Sequence, residues 1–488
     1  MRLHRNGLLA FAAATATLLM AGGAADAQKV FSRGGSQSIG TMRGGDGGYR
    51  GGYHGGGRSY IGGYFGSPLI GIAPGVVQTF EGGDIDYDSP GPRRSRQARR
   101  NSGAPAANER RMVPDEVVIE IANSVSPLRI DALRRRHRLT SIESQTFQLS
   151  GTTWYRWRIP DRRSVASVVR ALEADRIVAQ PNYVFALQAD EAKAEGDAAQ
   201  YELAKLHLPQ AHTLAKGDNV LVAVIDSGID ATHPELTGAV AQSYDTLSSP
   251  MVPHKHGTAI AGLIAAHGKL MGSAPAARIL AIRAFDGASA SAQGTTFNIL
   301  KALDWAAAHG AQVINMSFAG PPDPALHRSI VAAHKKGIVL VAAAGNAGPQ
   351  SPPLYPAADP DVIAVSATDA DDKLFAQSNR GRHIAVAAPG AQILVAIPDG
   401  GYEISSGTSY SAAEISGIVA LMLERRHDLS PDKVRDILLA TAKDLGPKGR
   451  DIMFGAGLAD AYGALMAEVA PATAAVPRPI ERVSTGAR

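Results

Sequence analysis

The alternation of apolar and polar positions predicts two folded parts, one after the other. In the first, residues 113–188, short apolar runs that predict strands alternate with two segments of helical period, one of which places Val165, Val168 and Leu172 on one face. The predicted elements are strand Glu116–Ile121, helix Pro127–His137, strands Leu139–Leu149 and Thr152–Ile159, helix Arg162–Ala174 and a final extended segment, Ile177–Leu187. This order predicts a small ferredoxin-like α+β domain.

The second folded part, residues 200–468, follows a polar, alanine-rich hinge at Gln188–Gln200. Its strand-like runs are apolar at almost every position, and helical patterns separate many of them, which is typical of strands buried on both faces. The runs are Val220–Ile225, Ile279–Ala284, Val313–Ser317, Ile338–Ala343, Val362–Ser366 and Ile384–Ala387. We therefore expect an α/β domain built around a doubly wound parallel sheet.

Residues 1–27 predict a secretory signal peptide. Arg2 and Arg5 precede the apolar run Leu8–Ala21, and Ala25-Asp26-Ala27 offers a small-residue cleavage site. An uncleaved anchor is the alternative, but the apolar run is short for a membrane span, so we expect no stable membrane anchor. The expected location is therefore outside the cytoplasm: extracellular, at the cell surface or periplasmic.

Residues 28–112 and 469–488 are expected to lack a folded core. The stretch Arg33–Gly66 is rich in glycine, arginine and tyrosine, and Arg93–Arg100 extends it with further positive charge. Such a composition cannot bury an apolar core and predicts disorder. Its arginine and tyrosine side chains could stack on RNA bases. However, the net charge is only +4 and the arginine runs are local, which favours a flexible spacer or surface tether over nucleic-acid binding.

The overall composition is that of a globular, cysteine-free protein. Of its 488 residues, 45% are hydrophobic and 19% are charged, so most of the chain can build a core. The absence of cysteine excludes disulfides, a cysteine nucleophile and a lipid-modified cysteine. Bound ions could add stability, and Asp369, Asp371 and Asp372 are the candidate calcium ligands. A solvated acidic loop is the favoured interpretation of these three residues, and no cofactor is expected to be required for the chemistry.

Three segments of the second part carry residues suited to nucleophilic catalysis. Asp226 ends an apolar strand, where open α/β sheets build their sites. His256 opens an apolar helix, whose dipole disfavours the imidazolium and keeps the ring a free base. Ser409 opens another helix, near backbone N–H groups that can stabilise an oxyanion. Each residue alone has a structural explanation, as a helix cap or a packed histidine. Their chain order, Asp, His, Ser, is nevertheless one of the orders found in serine triads.

The three segments together resemble the active-site motifs of the subtilisin-like serine proteases. They are Val222–Asp230, His256–Gly262 and Ser406–Ala412. Two further segments are similar to motifs of that family: Val313–Gly320 resembles its substrate-binding strand, and Ala343–Gly348 resembles its oxyanion-asparagine segment. The resemblance extends over residues 201–468. More weakly, residues 113–187 resemble the family's inhibitory propeptide.

This resemblance implies a secreted serine endopeptidase that acts on protein or peptide substrates and is made as a self-processed precursor. Asp226, His256 and Ser409 would be the catalytic triad, and Asn346 would donate to the oxyanion. The implied substrate-binding residues are Ser317, Phe318, Ala319, Gly320, Ala344 and Gly345. The propeptide-like domain would inhibit the enzyme until self-cleavage in the hinge between Leu187 and Gln200. A permanently attached domain is the alternative.

The chain departs from the family pattern after the nucleophile. Tyr410 and Ser411 stand where Met-Ala is usual, and Ala413 and Glu414 stand where Pro and His are common. Ala319 replaces a common glycine, and its methyl group is expected to narrow the primary specificity pocket. These positions lie outside the reacting groups. A catalytically inactive binding module is the alternative function, and the presence of every triad residue and the oxyanion asparagine disfavours it.

Overall fold

The computed structural model of the protein describes residues 102–188, 200–287 and 292–467. The signal peptide, the glycine- and arginine-rich region up to residue 101, most of the hinge and the C-terminal tail lie outside the described residues, so the expectations for them stay predictions. Within the described ranges, no helix is long and apolar enough to cross a membrane.

The first part of the chain forms an antiparallel sheet with two helices. Its elements are β1 (Met112–Ala122), α1 (Pro127–Arg136), β2 (Thr140–Phe147), β3 (Thr152–Arg158), α2 (Val165–Ala174) and β4 (Val178–Leu187). The strands lie in the order β4-β1-β3-β2, and each is antiparallel to its neighbour. This is the α+β arrangement that the order of predicted elements indicates.

Helix α2 begins at Val165 and not at the predicted Arg162. Arg162 has a left-handed backbone, with φ of 59°, that a helix does not accept. Ser164 then caps the helix, because its hydroxyl accepts a hydrogen bond from Ser167 N at 3.2 Å. From this start the apolar face of the helix packs against Trp157 in the core of the domain.

The second part is built on seven parallel strands. They are β5 (Leu221–Asp226), β6 (Val240–Asp245), β7 (Arg278–Arg283), β9 (Val313–Met316), β11 (Val339–Ala343), β12 (Ile363–Thr368) and β13 (Ile384–Pro389). Their order is β13-β12-β11-β9-β5-β7-β6, and all neighbours are parallel. The predicted α/β class with a parallel sheet is confirmed. Short strands β8 (Gln293–Thr295) and β10 (Phe318–Ala319) and the hairpin β14 (Ile393–Ile397) and β15 (Gly401–Ser405) lie outside this sheet.

Helices cover both faces of the parallel sheet. They are α3 (Tyr201–Lys205), α4 (Leu208–Ala211), α5 (Lys255–Ala265), α6 (Thr296–Ala308), α7 (Pro324–Lys335), α8 (Thr408–Arg425), α9 (Pro431–Thr441) and α10 (Ala461–Met466), with a 3₁₀ turn at Pro234–Leu236. One core contains residues of α5 and α8, and a second core contains residues of α6 and α7. Burial on both faces explains why most sheet strands are continuous apolar runs.

The sequence analysis missed strand β6 and the β14–β15 hairpin. Strand β6, Val240–Asp245, lies at the edge of the sheet, and none of its residues is fully buried. An edge strand needs few apolar residues, because one side of it faces solvent. Its sequence therefore lacks the apolar run that marks the central strands.

Aromatic side chains join the two parts of the chain. Phe147 and Trp154 of the first part form one buried cluster with Phe297 and Leu300 of helix α6. The Phe147 and Phe297 ring centroids lie 5.9 Å apart at a tilted angle. Burying aromatic rings in this way stabilises the contact by roughly 0.5–1.5 kcal/mol per ring pair beyond the effect of area alone.

Helices α3 and α8 each bury a glutamate in the core between them. Glu202 is 0% exposed and Glu414 is 1% exposed. Burial raises the pKa of Glu202 to about 7. Burial, with the nearby charge of Glu202, raises the pKa of Glu414 well above its ordinary value. The folded protein therefore holds protons here that the unfolded chain releases.

We predict that Glu414→Gln stabilises the protein at alkaline pH. The folded-state pKa of Glu414 is raised above its ordinary value of 4.5. The neutral side chain therefore contributes stability that is fully present below that ordinary value and is lost as the pH rises through the raised folded-state pKa. The amide keeps the shape of the side chain but cannot ionise. The gain at about pH 9 should be on the order of 1–3 kcal/mol.

Thermal unfolding between about pH 5 and about pH 9 checks this prediction. It is best measured in a Ser409→Ala background, which would prevent the self-digestion that the family resemblance implies. Glu403→Gln, on the hairpin strand β15 and only partly buried, is the matched control and should leave the slope unchanged. Parallel Tm curves for Glu414→Gln and the parent would contradict the prediction.

Candidate active site

The structure brings Asp226, His256 and Ser409 together at the carboxyl edge of the parallel sheet. Asp226 ends β5, and His256 and Ser409 lie in the first turns of α5 and α8. None of the three is more than 4% exposed. His256 Nδ1 lies 2.9 Å from each Asp226 carboxylate oxygen. A hydrogen on Nδ1 is thereby held by the carboxylate, which leaves Nε2 as the basic nitrogen.

The Asp226 carboxylate is itself held in place by its neighbour Ser227. Oδ1 accepts hydrogen bonds from Ser227 N at 2.7 Å and from Ser227 Oγ at 2.9 Å. Gly257 lets helix α5 approach this point closely, because a Cβ there would collide with Gly228 O and lie 3.2 Å from Asp226 Oδ1. The small residues that flank the predicted motifs thus set the distance between histidine and carboxylate.

The Ser409 hydroxyl bonds to main-chain carbonyl groups. Its Oγ donates to Gln188 O, and Ser317 O lies 3.2 Å away. Tyr410, the next residue, has its ring centroid 6.2 Å from that of His256, so the helix starts lie side by side. Within the described residues, His256 Nε2 is buried without a hydrogen-bond partner. A buried, unpaired base beside a hydroxyl-bearing helix start is suited to accept a proton during a reaction.

Asn346 is fixed so that its amide nitrogen is available to a ligand. Its Oδ1 accepts hydrogen bonds from Thr408 N at 3.1 Å and from Thr408 Oγ1 at 2.8 Å. Nδ2 is buried and has no hydrogen-bond partner in the described part of the chain. A preorganised donor of this kind can stabilise negative charge on a substrate oxygen.

Strand β4 occupies the cleft beside these residues. It pairs antiparallel with β10, matching Leu187 to Phe318 and Ala186 to Ala319, and on its other edge it pairs with β8. Two strands of the second part therefore hold it from both sides. Its end places the Gln188 carbonyl at the Ser409 hydroxyl.

Gln188 continues this backbone pairing. Its N–H donates to Ser317 O at 3.3 Å, and its side-chain Oε1 accepts from Asn346 N at 3.0 Å. The segment is thus bound as an extended peptide that pairs by its backbone with two short strands and places the Gln188 carbonyl at the Ser409 hydroxyl. Backbone pairing of this kind is a common mode of peptide recognition.

The predicted substrate-binding residues line this bound strand unequally. Phe318 and Ala319 pair with it, and the absence of a side chain at Gly320 leaves room for the Phe185 ring. The Phe185 and Phe318 rings meet edge to face with centroids 5.9 Å apart. Ser317 contributes its carbonyl oxygen, whereas Ala344 and Gly345 are buried, and Gly345 N donates to Thr408 Oγ1.

Two residues of the site escaped the sequence analysis. Gln188 lies at the start of the polar hinge, and nothing in its type marks it as the residue that meets Ser409. Thr408 precedes Ser409 and orients Asn346, and its hydroxyl also accepts from Gly345 N at 3.1 Å. The sequence Gly407-Thr408-Ser409 could have indicated this role of Thr408. A hydroxyl in the first turn of a helix is placed to form hydrogen bonds with the loop that faces that turn.

The candidate calcium ligands do not converge on one point. Asp369 Oδ1 accepts from the backbone N–H groups of Asp371 and Lys373, both at 2.9 Å. Asp371 pairs with Lys373 at 3.0 Å, and Asp372 pairs with Lys205 at 2.7 Å. In the ranges that the structure describes, no group of three acidic, histidine or cysteine side chains could hold a metal ion.

Comparisons with known proteins point to one family. The sequence model of the subtilase family matches residues 217–457. A thermophilic serine proteinase of Bacillus sp. strain AK1 is 35% identical over 304 residues, which is 60% of this chain and 74% of the relative. Thermitase of Thermoactinomyces vulgaris is 34% identical, over 54% of this chain and 95% of the relative.

A solved structure is also similar. Fervidolysin from Fervidobacterium pennivorans, a keratinolytic enzyme related to subtilisin, matches with a TM-score of 0.64 and 25% sequence identity. The match covers 75% of this chain, and this chain spans 62% of the length of fervidolysin.

We predict that phenylmethanesulfonyl fluoride modifies Ser409 and that the modification depends on His256. In the described residues His256 Nε2 has no hydrogen-bond partner, as expected of a base that takes up a proton during the reaction. His256→Ala should therefore slow labelling at least about 100-fold. Labelling should be slow while Gln188 covers Ser409. Mass spectrometry of peptides locates the label, and modification of another residue, or of Ser409 independently of His256, would contradict the prediction.

Proposed function

The chain belongs to the subtilase family and is a subtilisin-like serine endopeptidase, and on this premise we propose that Asp226, His256 and Ser409 are its catalytic triad. The observation that carries the proposal is the bonding of His256. Its Nδ1 is held by Asp226 at 2.9 Å, and its Nε2 is buried and free of a partner in the described residues. An inactive binding module would have no need of such a poised base.

The proposed chemistry is acyl transfer to serine. Ser409 Oγ attacks the carbonyl carbon of the scissile peptide bond while His256 Nε2 takes the hydroxyl proton, and the carbonyl electron pair moves onto oxygen. His256 then gives that proton to the leaving amine as the C–N bond breaks. Water hydrolyses the resulting ester by the same steps. Asp226 keeps the imidazole in the productive tautomer and stabilises its charged form.

Asn346 is proposed to stabilise the oxyanion. Thr408 holds its carbonyl oxygen from two sides, which turns the unpaired Nδ2 away from that contact. A fixed donor costs no reorganisation when charge develops on the substrate oxygen. Loss of such a donor reduces the transition-state stabilisation by about 3 kcal/mol.

Self-cleavage is proposed to occur between Gln188 and Ala189. The Gln188 carbonyl accepts a hydrogen bond from Ser409 Oγ, and the strand before it is held between β8 and β10. A peptide held in this register presents its next bond to the nucleophile. This position lies inside the hinge where the sequence predicts processing.

Residues 113–188 are proposed to inhibit the enzyme before and after that cleavage. Besides filling the cleft, strand β4 caps two helices of the second part. Asn182 Oδ1 accepts from Phe297 N at 3.2 Å, and Gln180 Oε1 accepts from Ala325 N at 2.8 Å. Helix N-termini leave such N–H groups without intrahelical partners, so these caps favour the bound state. The aromatic cluster on α6 adds apolar burial to it.

Export is part of the proposed function. It is supported by the charged start, apolar run and cleavage site within residues 1–27. An inhibited precursor also fits export, because an endopeptidase active inside the cell would degrade cytoplasmic proteins.

We predict that Ser409→Ala blocks self-cleavage. The variant lacks the nucleophile but should keep the fold, so it should accumulate with residues 102–188 still attached. The unsubstituted chain should give a new N-terminus at Ala189. N-terminal sequencing and intact-mass measurement check both outcomes, in a host where no other protease acts.

Ser411→Ala is the matched control for this experiment. It removes a hydroxyl from the same helix, one that donates to the carbonyls of Ala388 and Pro389 and has no part in the proposed chemistry. This variant should be processed normally. Hinge cleavage of Ser409→Ala in the same host would refute self-processing.

We predict a loose preference for small to medium apolar residues before the cut, with glutamine accepted. The walls next to that position, Ser317–Gly320 and Ala343–Gly345, carry no charge, and apolar pockets discriminate a methylene by only about 1–3 kcal/mol. In the bound strand, Phe185 lies over Gly320, three residues before Gln188. We therefore also expect a preference for a large apolar residue three positions before the residue at the cut. Digestion of a peptide library with the processed enzyme, followed by mass spectrometry, measures both. Strong selection for arginine or lysine before the cut would contradict the prediction.

A further inference from the structure

A second histidine, His254, lies next to the proposed triad. It is the N-cap residue of helix α5, two positions before His256. Its Nδ1 is 2.8 Å from Ser227 Oγ, and Ser227 Oγ is in turn 2.9 Å from Asp226 Oδ1. The side chains of His254, Ser227 and Asp226 therefore form a row of hydrogen-bonding contacts. The row ends on Asp226 Oδ1, the carboxylate oxygen that also bonds to His256 Nδ1.

The hydrogens in this row allow two arrangements. Ser227 has one hydroxyl hydrogen, so it can donate either to Asp226 or to His254. If it donates to Asp226, His254 Nδ1 must carry a hydrogen and donate to Ser227. If Nδ1 is bare, it accepts from Ser227, and Asp226 loses the hydroxyl bond and keeps the Ser227 N–H.

A competing role for His254 is that of a simple helix cap. His256 N–H faces the same Nδ1 at 3.3 Å, which would require Nδ1 to be an acceptor. The contact with Ser227 Oγ is shorter, at 2.8 Å. A separation of 3.3 Å is long for an N–H hydrogen bond, whereas 2.8 Å is close to ideal for a hydroxyl. The stronger contact of Nδ1 is therefore with Ser227. A hydroxyl bonds more strongly to an ionised carboxylate than to a neutral imidazole, which favours the arrangement in which Ser227 donates to Asp226 and His254 Nδ1 donates to Ser227.

We propose that His254 is a positioning residue for the triad, which donates from Nδ1 to Ser227 and so directs the Ser227 hydroxyl onto the Asp226 carboxylate. The inference rests on the proposed function, because the carboxylate matters only if His256 is the catalytic base. With the hydroxyl bond in place, Oδ1 is held by both polar hydrogens of Ser227, and the carboxylate cannot rotate away from the imidazole.

The surroundings of His254 suit a neutral donor. Burial lowers the pKa of His254, the nearby Asp226 carboxylate opposes this shift, and His256 and Lys255 add to it. The ring packs on Gly287, where a Cβ would lie 2.6 Å from its Cδ2. The preceding residue Asp286 and the buried Arg283 are the other charged groups on that segment. A neutral imidazole still carries one N–H, and this hydrogen lies on Nδ1 when the Ser227 hydroxyl donates to Asp226.

The test compares His254→Asn with His254→Asp in the processed full chain. Both residues are good helix caps, but only the asparagine amide can donate to Ser227. We expect kcat of His254→Asn to stay within about 3-fold of the parent and kcat of His254→Asp to fall about 10-fold, with KM unchanged in both. The low-field proton resonance of the His256–Asp226 bond should move only in His254→Asp. Active-site titration with a sulfonyl fluoride corrects for incomplete processing.

The same pair in a Ser227→Ala background separates the hydrogen bond from the added charge of aspartate. If His254 acts through Ser227, the difference in kcat between the two variants should shrink there to the effect of the aspartate charge alone. Equal kcat in the parent background, or an undiminished difference without the Ser227 hydroxyl, would overturn the proposal. Failure of the proposed triad gives a different result, because Ser409→Ala would then retain parental activity.

Discussion

The geometry of the site depends on the burial of helix α8. Residues Thr408–Leu423 are buried without interruption, so the helix runs through the core with no face to solvent. A helix in that position can neither shift nor rotate without opening cavities, because protein cores are packed as densely as organic crystals. Its first turn is therefore a fixed reference point, and Ser409 and the threonine that orients Asn346 both lie on it.

A helix buried on all sides needs small residues and satisfied polar groups. A Cβ on Gly417 would collide with the Ser273 side chain, so glycine is needed where the backbones pass closely. Ser416 accepts from Asn315 Nδ2 at 3.0 Å and donates to Ala412 O at 2.8 Å. Each hydroxyl thus finds its partners inside the core, as buried polar groups require. The departures from the family pattern at Tyr410 and Glu414 lie on this same helix. The Tyr410 hydroxyl donates to Ser405 Oγ at 2.8 Å, whereas burial raises the pKa of the Glu414 carboxyl.

Sequence reasoning worked where one physical requirement dominates. Strands such as β5 and β11 are buried on both faces, so their apolar runs are visible without any structure. The positions of Asp226, His256 and Ser409 follow from element ends, which sequence also marks. The edge strand β6 gave no such signal, because its exposure to solvent leaves it without an apolar run. The start of α2 gave none either, because the left-handed backbone of Arg162 does not appear in a hydrophobic pattern. The roles of Gln188 and His254 depend on contacts across 221 and 27 residues of chain, which no local pattern encodes.

The glycine at position 320 has a consequence for how this protein can change over time. Its missing side chain makes room for Phe185, a residue of the same chain. On the proposed maturation route, the first peptide that each molecule must recognise is therefore encoded by its own gene. A substitution that changed the shape of this pocket, and so the substrates it accepts, would also hinder maturation of the enzyme. Maturation would be restored only if Phe185 changed as well. The pocket and the precursor strand are therefore expected to change together during evolution. The sequence of the precursor strand then indicates the specificity of the mature enzyme.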